Sequence, residues 1–180
     1  MAEDNFTLAT FYASWKAYQD HLKDALALLT AEQIALRAAP GMRSIAENAL
    51  HIVGCRTFWF TGFLGEDGGE TMKEYTRWNE VALRAPYARW NEVAQALGTP
   101  APIAAELAQG LDDTWRFMAD RLTHWSAADM RQTFPDEEDG APIEISRAWV
   151  VWHVLEHDLH HGGEISLTLG MHGIPATFAV

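Results

Sequence analysis

Four of the eight histidines lie between Ser146 and Gly170: His153, His157, His160 and His161. On a helix each residue advances about 100°, so residues four apart stack one turn above another. His153/His157 and His157/His161 are both such pairs, and His160 borders the same face. Two imidazoles on one helical face can converge on a single metal ion, with a third ligand supplied from elsewhere. His51 is the candidate, because it interrupts an otherwise apolar segment, SIAENALHIVGCRTFWFTGFLG. Helical bundles build metal sites from side chains on facing helices. Spacing alone does not choose between the two pairs, although His157 belongs to both. Three histidines with a fourth position left to water make a site of catalytic type. There a bound water becomes a stronger nucleophile, a thiol loses its proton, or a carbonyl is polarised.

The neighbouring groups have ordinary and functional readings side by side. Cys55 follows His51 by four; it is a fourth ligand or reactive thiol, or a small buried hydrophobe, the commoner state of such a cysteine. Glu47 precedes His51 by four and either caps the helix or bonds the imidazole from behind. Glu156 and Asp158 flank His157. Glu164 follows His161 by three and His160 by four, which suits a supporting carboxylate or a catalytic acid–base. His21, His124 and His172 read as surface residues.

Several helices must position these groups. Leu8, Phe11, Trp15, Tyr18, Leu22, Ala25 and Leu29 recur every three or four residues, the stripe of a packed helix, with Gln19 among the residues off it. Thr30–Gln33 and Ser44–Glu47 have the form of capping boxes, the second opening a helix through about Phe63 that also carries Arg56 where solvent is not expected. Residues 65 to 101 read as one or two short helices in a long crossover. There Arg77-Trp-Asn-Glu-Val-Ala82 is echoed at Arg89–Ala94, and Pro86 breaks the chain between the copies. Ile103, Leu107, Leu111, Trp115, Met118, Leu122 and Trp125 mark another long helix. The connector after Ser126 carries Pro135, acidic residues 136–139, Gly140 and Pro142. Within it Gln132–Phe134 and Ile143–Ile145 can pair briefly. Ser146 caps the histidine helix, which cannot pass Pro175. The expected fold is all-α: one domain over residues 1–180, a four-helix bundle with a long crossover between helices two and three.

Composition sets the outer bounds. A 180-residue chain that is 48% hydrophobic with eight tryptophans can bury a full core. A net charge of −12 argues against nucleic acid and anionic membranes as partners. The single cysteine forbids an internal disulfide and suits a reducing compartment. The first residues have no apolar signal-peptide core, and no run of about 18 apolar residues occurs. A cytoplasmic protein acting on a small molecule is the expectation.

The segment HVLEHDLHHGGEISLTLGMHGIP resembles the C-terminal signature of the DinB/YfiT-like proteins, H-x-x-x-H-x-x-x-H-R-G-Q followed by an apolar stretch, L-G-I and Pro. His153, His157 and His161 fall on its histidine positions, and Asn48-Ala-Leu-His51-Ile-Val-Gly54 resembles the family's second-helix ligand segment. The resemblance implies a four-helix bundle holding a divalent metal, with His51, His157 and His161 as ligands and His153 as a neighbour. Imidazoles suit Zn, Ni, Fe and Co; Zn or Ni is expected here. The chain departs from the pattern at R-G-Q, where it has Gly162, Gly163 and Glu164. This removes a cation and adds a carboxylate, the candidate catalytic group. Characterised members of the superfamily include mycothiol-dependent maleylpyruvate isomerases and bacillithiol S-transferases, which implies a low-molecular-weight thiol as a further cofactor. Dimers are common in the family, which implies a homodimer. The resemblance thus implies a metal-dependent transferase, isomerase or hydrolase; the alternative is a non-catalytic, stress-related metal-binding or structural bundle.

Overall fold

Capping residues set where the helices begin. In the computed structural model, which describes residues 4–84 and 102–175, Ser44 Oγ accepts from the Glu47 amide while Glu47 returns a carboxylate to the Ser44 amide. Thr30 and Gln33 do the same, as do Ser126 and Asp129. Each box satisfies amides that a helix start leaves open. The elements are α1 (Asp4–Ala27), α2 (Ala31–Ile34), α3 (Ile45–Thr57) continuing into a π-helical segment (Phe58–Phe63), α4 (Gly69–Arg84), α5 (Ala104–His124), α6 (Ala127–Met130), β1 (Thr133–Glu138), β2 (Ala141–Ser146) and α7 (Arg147–Met171). Among the described residues no helix is long and apolar enough to cross a membrane.

The all-α expectation needs one correction. The chain is mostly helical, but β1 and β2 form an antiparallel hairpin that pairs Phe134 with Ile145. Its turn is Asp139-Gly140, both at positive φ, a conformation glycine adopts freely and aspartate tolerates. The short pairing anticipated around Phe134 and Ile145 therefore extends over six residues on each side. Within the expected crossover, α4 is a single 16-residue helix packed on α3. Pro86 and the second copy of the echoed hexapeptide lie outside the described residues.

α3 is central, packing against α4, α5 and α7, while α1 packs on α5. Its burial follows from its sequence: Ile45, Ala49, Leu50, Ile52 and Val53 are buried, and Glu47 and His51 are its only partly exposed residues. Leu22, Leu26, Leu107, Leu111, Ile165 and Leu169 complete one apolar cluster with them. Trp15, Phe60, Trp115, Met118, Ile145, Val150 and Val154 form another. Each buried Val, Leu, Ile, Met or Phe side chain among these contributes roughly 1.5–3 kcal/mol. The buried line of α1 runs Trp15–Gln19–Leu22–Leu26, so Gln19 lies inside and Phe11 is half-exposed, the reverse of the expectation for both. Gln19 is tolerated there because its amide donates to Leu111 O and its oxygen accepts from Arg56.

Candidate metal centre

α3 and α7 bring three histidines together. His51 comes from α3, His157 and His161 from successive turns of α7. Their ring centroids are 4.4–4.7 Å apart in all three pairings, and one ligand nitrogen from each lies within 4.8 Å of the others. The Nε2 atoms of His51 and His157 are 3.0 Å apart. His161 is almost fully buried; the other two are half-buried. His153 is not in the group: its ring is 6.2 Å from that of His157 and stacks on Trp149.

Burial favours the neutral form of each ring. It pulls the pKa of His51 down to about 3, with the positive charge of Arg43 adding to the effect. His157 falls to about 2, burial first and the neighbouring His161 and His51 next. His161 is also lowered by burial, while Glu164 opposes the shift. Three neutral imidazoles are the protonation state a metal ion requires.

The nitrogens fit such an ion in type and spacing. Glu164 Oε2 sits 2.8 Å from His161 Nδ1, so a neutral His161 donates there and keeps its Nε2 lone pair free. Between His51 and His157, one Nε2 must donate and the other accept, which leaves both Nδ1 atoms buried without a partner among the described residues. With a cation between the rings neither Nε2 need donate to the other: both present lone pairs to the ion beside His161 Nε2, and the Nδ1 atoms carry the protons. Glu164 Oε1 is also 3.6 Å from His160 Nε2, and His160, His161 and Glu164 form a second, more exposed cluster of ligand type.

The other expected groups settle elsewhere. Glu47 caps α3 and pairs with Arg37 at 2.6 Å. Cys55 is buried, and desolvation pushes its thiol well above the ordinary range, so it stays protonated. His21 and His124 are exposed, and His172 Nε2 lies 3.0 Å from Arg37 O. Gly162, where the family pattern has Arg, faces α1. A Cβ there would lie 2.1 Å from the Tyr18 hydroxyl, so the position belongs to helix packing. The cation whose charge reaches all three histidines is Arg43, just before α3.

Two parts of the surroundings were not read from the sequence. One is a buried polar network behind His157. Asp158, fully buried, accepts from Arg56 Nη2 at 2.7 Å, Arg56 Nε at 3.1 Å and Trp15 Nε1 at 2.9 Å. Arg56 also donates to Gln19, Leu111 O and Thr114. An arginine inside an apolar helix was the available signal, but nothing in the sequence named its partner. The other is an aromatic wall. The wider π-helical turn sets Trp59 edge-on to both Trp149 and His153, at 5.4 and 5.1 Å between centroids.

The model of the DinB family matches residues 1–176. The fold is similar to the crystal structure of a DinB-like protein from Bacillus cereus ATCC 10987, with a TM-score of 0.63 at 20% identity over 94% of this chain and 95% of that one. No curated protein matches.

Proposed function

The chain belongs to the DinB family, and from that footing we propose that it is a metal-dependent enzyme whose divalent ion, Zn or Ni, is held by His51, His157 and His161. The observation that carries this reading is the convergence of three neutral imidazoles from two helices within 4.8 Å. When bound, the ion supplies Lewis acidity, lowering the pKa of a water or a low-molecular-weight thiol beside it. The protein's own contribution is positional. α3 and α7 hold the rings at fixed separations, and Glu164 fixes the tautomer of His161. Glu164 is also the candidate to take or return a proton during turnover. The substrate is a small electrophile, transferred, isomerised or hydrolysed. The same proposal takes residues 1–180 as one cytoplasmic domain of four-helix-bundle type, working as a homodimer.

A non-catalytic metal-binding bundle would suit a cluster walled off by large side chains. Against that, Trp149 and Trp152 are 43% and 57% exposed and His51 and His157 are only half-buried. The test is metal analysis of the native protein and of His157→Ala, followed by a screen of small thiols and electrophiles on the loaded protein. One equivalent of metal, lost in the variant, with turnover by the loaded protein, is expected. A protein that takes up no stoichiometric metal, or a variant that takes it up unchanged, overturns the metal centre. Metal without turnover of any thiol or ester favours the non-catalytic reading.

A further inference from the structure

Once His51 gives its Nε2 lone pair to an ion, the ring's proton sits on Nδ1. That atom is buried with no hydrogen-bond partner among the described residues. A ligating histidine is ordinarily held at its second nitrogen by a carbonyl or carboxylate. Glu47, one turn before His51, has both oxygens engaged: one accepts from the Ser44 amide and the other from Arg37, each at 2.6 Å. Among the described residues a single buried side-chain oxygen lacks a partner, and it is Oδ1 of Asn48, a residue only 2% exposed. A buried acceptor left open costs stability and needs an explanation.

The two unpaired atoms are neighbours on α3. Side chains three residues apart on a helix are about 5–6 Å apart at Cβ and about 60° apart around the axis. Helical side chains also lean toward the N-terminus, so the His51 ring covers the turn that holds Glu47 and Asn48. One unpaired atom is a donor in the ion-bound tautomer and the other is an acceptor. The last torsion of asparagine is broad, so the amide can turn its oxygen toward the ring at little cost.

On the footing of the metal centre above, we propose that Asn48 is the positioning residue for His51. Its Oδ1 accepts the Nδ1 proton of His51 when the ion is bound, which fixes the tautomer that leaves Nε2 free. Glu164 does the same for His161. α3 and α7 thus each carry a ligand and its support within one turn. An amide brings no negative charge, so it raises the basicity of His51 less than a second carboxylate would.

The test is competition of the full chain with a chromophoric chelator for zinc, together with NMR of the histidine ring nitrogens in the zinc-loaded protein. The native His51 ring should be protonated on Nδ1, with a signal slow to exchange with water. Asn48→Leu removes the acceptor at similar volume. It should weaken zinc binding about tenfold to a hundredfold and speed exchange of the His51 signal, with the His161 signal in place. Metal-free, the same variant should melt no lower than the native protein, because it deletes an unpaired buried oxygen. Asn48→Asp keeps an acceptor. It should bind zinc at least as tightly as the native protein, while its buried carboxylate lowers the Tm of the metal-free chain. A residue that only packs the helix would tolerate Leu and suffer from Asp in both measurements, and that order overturns the proposal. So does unchanged zinc affinity in Asn48→Leu. Should Asn48→Leu not fold, the native spectrum and Asn48→Asp decide: a loaded His51 that is protonated on Nε2, or whose Nδ1–H exchanges freely, overturns it. A native protein that binds no zinc overturns the metal centre and this proposal together, whereas stoichiometric zinc with indifferent Asn48 variants overturns this proposal alone.

Discussion

Removing the Asp158 carboxylate should be the most damaging single change within the described core. Asp158 is 0% and Arg56 1% exposed, so neither charge is screened by water. Asp158→Ala deletes the acceptor of two Arg56 nitrogens and of the Trp15 indole. It leaves a buried guanidinium with neutral partners only. Breaking a buried pair from one side costs about 3–5 kcal/mol, because the remaining charge is uncompensated. A domain has about 5–15 kcal/mol in total. For a chain of this size each kcal/mol shifts Tm by about 2–4 °C, so the fall should be about 6–20 °C. Thermal unfolding followed by far-UV circular dichroism measures the fall, and urea unfolding the loss of free energy. The double variant Arg56→Met with Asp158→Leu separates charge from packing. Replacing both partners with apolar side chains removes the desolvation penalty as well as the attraction, so the double variant should be more stable than either Asp158→Leu or Arg56→Met alone. A loss below about 1 kcal/mol for Asp158→Ala, or strict additivity in the cycle, refutes the reasoning.

Three further outcomes follow from the geometry. Acid should destabilise the metal-free protein between about pH 6.5 and 3. The folded histidines hold pKa values of about 3 for His51 and about 2 for His157, while the unfolded chain takes up protons from about pH 6.5 downward. Stability is therefore complete above that pH and is lost as pH falls, and a Cm measured at half-unit steps that stays flat across this range contradicts it. Glu164→Gln should weaken metal binding about tenfold to a hundredfold while leaving the fold intact, measured by competition with a chromophoric chelator. Gly162→Ala and Gly163→Ala should differ in sign. At 162 the new methyl meets the Tyr18 hydroxyl at 2.1 Å and should cost about 1–3 kcal/mol. Adding Tyr18→Phe should recover part of that cost. At 163 there is open space, and the higher helix propensity of alanine should add up to about 1 kcal/mol. Thermal melts of the three variants decide it.

Local chemistry made much of this protein legible from its sequence. Ser44 and Glu47, Thr30 and Gln33, and the Ser146 cap fix helix starts through bonds between residues three apart, so they need no tertiary partner. The one-turn spacing of His157 and His161 fixes their shared face for the same reason. His51 stood out because a polar ring inside an apolar helix needs a partner. Contacts between residues far apart in sequence were not legible. Nothing local says that Arg56 and Asp158, 102 residues apart, neutralise each other. Nothing local says that Gln19 turns inward to meet Arg56. Trp59 meets Trp149 and His153 from the π-helical segment Phe58–Phe63, across about 90 residues of sequence. Helical period and caps follow from each residue and its near neighbours. The helix-to-helix approach that gathers His51 with His157 and His161, sets His153 aside and turns Gly162 toward Tyr18 depends on how whole faces pack, and only the tertiary structure decides that.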